Sequence, residues 1–224
     1  MSRTLPRYAL FPGAGSFGGE FAPLTDTLGR RETRLIKYPG RFGSSFGEHP
    51  DTLDEVIESA TDQAAALPAP VLVAHSYGAY VAHAVACNLT ERGTPPATLI
   101  VTGASAPELL SVPPVTSPAE VATYLDDTDP TALATAPSPD WREVVIETTA
   151  NDLRLLRGLT PPATALTCPV SAIRGSRDEL TTDESIALWS NATNGSFTTH
   201  TVPGGHSAPL RSTEFPPWVT ARCA

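Results

Sequence analysis

The chain has 224 residues, a formal net charge of −9 and 41% hydrophobic residues, which suits one α/β domain with a sizeable core. The acidic balance argues against nucleic-acid or anionic-membrane partners, and no apolar run approaches the ~18 residues that a membrane-spanning helix needs. Three widely separated cysteines, Cys87, Cys168 and Cys223, odd in number and without CxxC spacing, disfavour a disulfide framework or a zinc site.

Residues 1–7 lack the apolar stretch and small-residue cleavage site of a signal peptide. A cytoplasmic protein is expected, with the sequons at Asn88, Asn191 and Asn194 coincidental. Residues 8–11 read as a short strand. The loop that follows, Pro12-Gly13-Ala14-Gly15-Ser16-Phe17-Gly18-Gly19, holds four glycines. It lacks the Lys-Ser/Thr ending of a P-loop and a properly spaced GxGxxG. Its place after an early strand suits the second half of an oxyanion hole.

A helix is expected over 21–28, a strand over 34–38 ending at Pro39-Gly40, and a glycine-containing loop over 41–50. Arg30, Arg31, Arg34, Lys37 and Arg41 fall within twelve positions. They read as a solvated face beside the strand, with a docking spot for an anionic partner as the alternative. Residues 51–67 place Leu53, Val56, Ile57, Ala60, Ala64 and Leu67 near helical spacing.

Val71, Leu72 and Val73 form a buried-strand run before Ala74-His75-Ser76-Tyr77-Gly78, and a small-residue helix follows over 79–89. This is the x-x-Ser-x-Gly core of a nucleophile elbow, a sharp strand-to-helix turn that lifts the serine hydroxyl off the sheet edge. Ser76 would then stand at a helix N-terminus, where backbone N–H groups can stabilise an oxyanion.

Residues 98–102 form another strand, with 103–107 as its exit loop. From 108 to 162 the pattern changes: proline pairs at 113–114 and 161–162 bracket helical patterns over 118–125 and 141–159. This segment reads as a lid inserted over the active site, against the plainer alternative of two packing helices. A strand over 169–174 leads into Gly175-Ser176-Arg177-Asp178. A helix over 182–189, capped by Thr181 or Thr182, precedes a strand over 196–202, the loop Pro203-Gly204-Gly205-His206 and a short helix around 217–222. Strand–helix alternation gives a mostly parallel sheet with helices on both faces. The chain is thus expected to be one α/β-hydrolase domain over 1–224.

Acyl transfer by serine needs a base to take the hydroxyl proton and an acid to orient that base. Among five histidines, His206 follows the last strand and two glycines, in the chain order Ser, acid, His. His75 adjoins the serine but should point away from it and pack. His83 lies in a helix, His49 in an early loop and His200 in mid-strand. Asp178, just past a strand end, is the favoured acid, with Asp183 and Glu108 as the other options.

Several motifs in this order resemble the type II thioesterases that accompany polyketide and nonribosomal peptide synthetases. Leu10-Phe11-Pro12-Gly13-Ala14-Gly15 is similar to that family's FPHAGG, and Tyr38-Pro39-Gly40-Arg41 to its LPGR. His75-Ser76-Tyr77-Gly78-Ala79 is similar to its HSMGA, and Cys168-Pro169-Val170 to its CPI. Gly175-Ser176-Arg177-Asp178 and Pro203-Gly204-Gly205-His206 resemble its acid and base motifs. The resemblance implies a Ser76, Asp178, His206 triad and an oxyanion hole from the backbone N–H groups of Ala14 and Tyr77. Gly13 stands where the family has His, Ala74 where it has Gly and Tyr77 where it has Met. Ser207-Ala208-Pro209 follow the base where aromatic residues are common.

The implied activity is hydrolysis of acyl groups from the phosphopantetheine arm of an acyl or peptidyl carrier protein, by a monomer with no cofactor or metal of its own. An acyltransferase or cyclase on the same triad, a small-ester or lipid hydrolase, and a non-catalytic ligand-binding relative are the alternatives.

Overall fold

A computed structural model describes residues 7–162 and 164–222. The expectations for residues 1–6 and for Cys223 lie outside them. Six strands, β1 (Tyr8–Phe11), β2 (Thr33–Leu35), β3 (Val71–His75), β4 (Thr98–Thr102), β5 (Val170–Gly175) and β6 (Phe197–Val202), form one sheet in the order β2-β1-β3-β4-β5-β6. Each neighbouring pair is parallel. β1, β3, β4 and β5 are buried along their whole length, as central strands are when helices cover both faces of a sheet.

The period-2 alternation of side chains divides these strands between two cores. Ala9, Phe11, Leu72, Ala74, Leu99 and Val101 face one, packed by α2 (Leu53–Ala65) and α3 (Tyr77–Glu91). Tyr8, Leu10, Val71, Val73 and Ile100 face the other, with Leu24 of α1 (Ala22–Leu28), Leu210 of α8 (Ala208–Arg211), and Phe215 and Val219 of α9 (Phe215–Ala221). α3 is buried nearly all round, which its run of alanines, valines and a single cysteine allows.

Between β4 and β5 stand α4 (Pro118–Thr128), α5 (Pro130–Ala134) and α6 (Pro139–Leu156). A capping box between Ser117 and Glu120 starts α4, and the Ser138 hydroxyl caps α6. These helices enclose a small core of Val121, Leu125, Leu133 and Val145, against which Phe17 and Trp141 pack. No helix among the described residues is long and apolar enough to cross a membrane.

The expected elements are present, with revised ends. α6 starts and ends earlier than expected, and α5 and α8 come in addition to the expected helices. The strand expected over 34–38 keeps sheet pairing only to Ile36, whose N–H donates to Leu10 O at 2.9 Å. The Gln63 side chain of α2 then takes both peptide groups of Lys37: it accepts from Lys37 N at 2.9 Å and donates to Lys37 O at 2.8 Å. The helix expected over 182–189 is α7 (Asp183–Ala187), capped by Thr182, and continues as a 3₁₀ turn. There Trp189 is drawn inward to donate its indole N–H to Ala104 O at 2.8 Å.

The basic cluster also needs correction. Arg30, Arg31 and Lys37 are exposed, but Arg41 is only 3% exposed and leaves the cluster for the interior.

Candidate active site

The register aligns the C-terminal ends of the strands. Phe11 sits beside Ala74, His75 beside Thr102, Thr102 beside Ile173, and Gly175 beside Val202. The loops leaving β1, β3, β4, β5 and β6 therefore meet at one edge. The chain moves outward from β1 to β2 and returns on the other side as β3, and in such sheets ligands bind at the switch point.

Ser76 occupies the turn between β3 and α3 with φ 51° and ψ −122°, a strained conformation for a residue with a Cβ. Its N–H donates to Thr102 O at 2.9 Å, which ties the turn to β4. Gly78 lets the turn pack against β1: a Cβ there would stand 2.3 Å from Phe11 O and 2.5 Å from Pro12 O. Tyr77 N–H belongs to the first residue of α3, beyond reach of any intrahelical carbonyl.

His206 is brought over the same edge by the loop after β6. That loop presses on the end of β5, where a Cβ on Gly175 would meet Gly205 O at 2.1 Å. His206 Nδ1 lies 3.1 Å from each oxygen of Asp178. An ionised carboxylate only accepts, so Nδ1 carries a proton and Nε2 is the ring nitrogen that Asp178 does not engage. Asp178 also accepts from Leu180 N at 3.0 Å and Thr181 Oγ1 at 2.7 Å. Burial works to raise its pKa, but His206 and these donors outweigh burial and hold it below the usual carboxylate value.

The other acids are engaged elsewhere. Glu108 accepts from Asn191 Nδ2 at 2.8 Å, and Asp183 pairs with Arg174 at 3.0 Å.

Ser76, His206 and Ala14 line one cavity of about 440 Å³, together with Tyr124, Leu125 and Ala132 of α4 and α5 and Trp141 and Val145 of α6. His75 is buried, as a packing residue should be, but it lies within the site. Its ring centroid is 4.8 Å from that of His206, it also lines the cavity, and its Nδ1 is 2.9 Å from Thr102 Oγ1. Burial, with the neighbouring His206 adding to it, lowers its pKa to about 3, so it stays neutral.

Two polar groups missed in the sequence shape the site. Asp129, between α4 and α5, accepts from Ser207 Oγ at 2.6 Å and from Arg211 Nη2 at 2.9 and 3.0 Å. Ser207, one of the departures from the family pattern, thus ties the base loop to the helical insertion. The second group is the buried pair Arg41–Asp152, whose contacts reach the loop after β1. Asp152 left a readable trace, because it lies on the buried stripe Val145, Thr148, Thr149, Asp152, Leu155 and Leu156 of α6. A carboxylate on such a stripe requires a partner.

Among the described residues no group of three or more His, Cys, Asp and Glu side chains is placed to hold a metal ion. A strained serine at a helix N-terminus, a histidine held through Nδ1 by a carboxylate, and a cavity beside them can carry out acyl transfer.

A parallel sheet with this strand order and a strand–serine–helix turn at its switch point is an α/β-hydrolase fold. The thioesterase domain family model matches residues 7–216, and the chain belongs to that family. It is similar to the thioesterase TesA of Mycobacterium marinum, 28% identical over 216 residues that span 91% of this chain and 84% of the relative. Among solved structures it is similar to RedJ, a thioesterase from the prodiginine biosynthetic pathway in Streptomyces coelicolor. That likeness has a TM-score of 0.81 at 28% identity and covers 96% of this chain and 88% of RedJ. BorB, the type II thioesterase from the borrelidin biosynthetic cluster, shares the fold with a TM-score of 0.84 at 23% identity, over 100% of this chain and 94% of its own. The family expected from the motifs and the α/β-hydrolase fold both hold.

Proposed function

We propose that this thioesterase hydrolyses acyl groups from the phosphopantetheine arm of acyl or peptidyl carrier proteins, clearing stalled or misprimed units in polyketide or nonribosomal peptide synthesis. The observation that carries the reading is the His206–Asp178 pair, whose histidine lines the same cavity as Ser76 in a chain of this family. The pathway named for RedJ and the cluster named for BorB support the choice of substrate.

In this reading Ser76 Oγ attacks the thioester carbonyl while its proton passes to His206 Nε2. The negative charge on the tetrahedral oxygen is met by Ala14 N–H and Tyr77 N–H. The C–S bond breaks as His206 returns the proton to the pantetheine sulfur. Water then gives a proton to Nε2 and attacks the acyl-serine, and the released acid leaves Ser76 reprotonated. Asp178 holds the tautomer throughout. Residues 108–162 act as a lid whose α4, α5 and α6 shape the acyl pocket and exclude water.

The test is the intact mass of candidate acylated carrier proteins before and after incubation with the enzyme. Loss of the acyl mass with appearance of free acid supports the reading. Acyl transfer to an added alcohol or amine in place of water would replace it with an acyltransferase, and an untouched carrier alongside cleavage of simple aryl esters would replace it with a small-ester hydrolase.

A further inference from the structure

The loop after β1 is held with unusual completeness from one side. Arg41 is 3% exposed and Asp152 4% exposed, and the two form a direct ion pair. One guanidinium nitrogen, Nη2, donates to Asp152 Oδ2, while the other, Nη1, donates to Ser16 O and to Gly13 O, the latter at 3.4 Å. Asp152 Oδ2 accepts in turn from Gly15 N at 2.8 Å. Tyr38 OH donates to Pro12 O at 3.2 Å, and the Arg41 guanidinium lies over the Tyr38 ring at 4.6 Å.

Two more amides of 13–16 are committed. Gly13 N–H donates to Glu20 Oε1 at 3.1 Å and Ser16 N–H to Gly13 O at 3.2 Å. Among the described residues, Ala14 N–H alone in 13–16 has no acceptor. The loop also lies flat against α6, because a Cβ on Gly15, whose φ is +68°, would stand 1.9 Å from Thr149 Oγ1.

We propose that Arg41 and Asp152 are a positioning pair for the oxyanion hole, fixing the backbone of 13–16 so that the one uncommitted amide, Ala14 N–H, faces the reacting carbonyl oxygen. This rests on the assignment of Ser76 as nucleophile. It also accounts for the Tyr38-Pro39-Gly40-Arg41 motif, whose tyrosine and arginine hold the carbonyls of the facing loop. A planar fork bridging two carbonyls and a carboxylate suits arginine, since lysine offers a single point of attachment. A hydrogen-bond donor gains in catalysis when it is fixed in advance where charge develops, so the pair should act on the transition state more than on the bound substrate.

The experiment compares wild type, Arg41→Lys, Arg41→Ala, Asp152→Asn, Asp152→Ala, the Arg41→Ala/Asp152→Ala double variant and Ser76→Ala on an N-acetylcysteamine thioester. Each is also titrated with an acyl boronic acid, which forms a tetrahedral adduct on the serine, and with a non-hydrolysable acyl thioether. The expected result is a fall in kcat of ~30-fold to ~300-fold for Asp152→Ala and Arg41→Ala, on the scale of losing one oxyanion donor, with KM within about threefold. Boronate affinity should fall with kcat and thioether affinity should hold. Arg41→Lys should fail to restore kcat, and the double variant should be no worse than about threefold below the poorer single, as expected of groups acting as a unit. Asp152→Asn keeps the shape of the side chain and carries the test should the alanine variants fail to fold. Near-wild-type kcat in the folded variants, or equal weakening of both inhibitors, overturns the proposal. Activity in Ser76→Ala would instead overturn the triad on which it rests.

Discussion

Gly103, the first residue after β4, lies directly beneath the His206 imidazole. A Cβ at Gly103 would stand 3.1 Å from Cε1 and 3.2 Å from Nδ1, and its φ is +59°. Gly103→Ala therefore combines a left-handed backbone that disfavours a Cβ with pressure on the ring that Asp178 orients. The expected outcome is a stability loss of ~1 kcal/mol or more, with kcat lowered at least about tenfold. Chemical denaturation and steady-state kinetics would show both; unchanged kcat would mean that the ring tolerates displacement.

Ser76 carries both strain and the proposed nucleophile, and two substitutions separate them. Ser76→Ala should lower kcat by about 10⁴-fold or more. Ser76→Gly should be equally inactive yet more stable than Ser76→Ala by ~1 kcal/mol, since glycine accepts φ 51° without penalty. Equal stabilities in urea would show that the turn is not strained.

Asp178→Asn should cost far more activity than Glu108→Gln or Asp183→Asn, by about 10⁴-fold on the precedent of a mis-set tautomer. The same carboxyl leaves a mark on acid stability. Its folded pKa is depressed below the unfolded value of about 3.9, so its contribution is complete above that value and disappears as pH falls through the folded pKa. Asp178→Asn should flatten the acid limb of a stability–pH curve below pH ~4. A limb as steep as wild type would place the responsible carboxylates elsewhere.

Tyr77 is 2% exposed and its hydroxyl is buried without a partner among the described residues, while its ring makes an edge contact with Tyr38 at 5.8 Å. An unsatisfied buried hydroxyl costs ~1–3 kcal/mol. Tyr77→Phe should leave kcat within about twofold, since only the backbone N–H is proposed to act, and should raise stability by ~1 kcal/mol. A large fall in kcat would give the phenol a role of its own.

The readable parts of this chain are those governed by local rules. Val71–His75 and Thr98–Thr102 announce themselves as buried apolar runs, and the Ser76-Tyr77-Gly78 turn follows from where glycine is sterically required. His206 and Asp178 are legible because strand-end loops in one order can meet only at one edge. Arg41 is not, because nearness in sequence is a poor guide to charge clustering: Asp152, 111 positions away, draws it inward. Asp129 is hidden for the same reason, since its partners Ser207 and Arg211 lie 78 and 82 positions away. α5 is only five residues long, too short for a periodic pattern to emerge.

The clasp of Gln63 on Lys37 covers part of an open sheet margin. Open sheet margins are templates on which foreign strands can add. β2 is three residues long, and at its end the glutamine amide occupies both peptide groups where a newcomer would begin to pair. Lengthening of the sheet beyond the end of β2 is thereby disfavoured. The opposite margin, β6, turns Thr198, Thr199 and Thr201 to solvent. Gln63→Ala should uncover the Lys37 peptide groups and raise the tendency to self-associate at high concentration, an effect that light scattering would register.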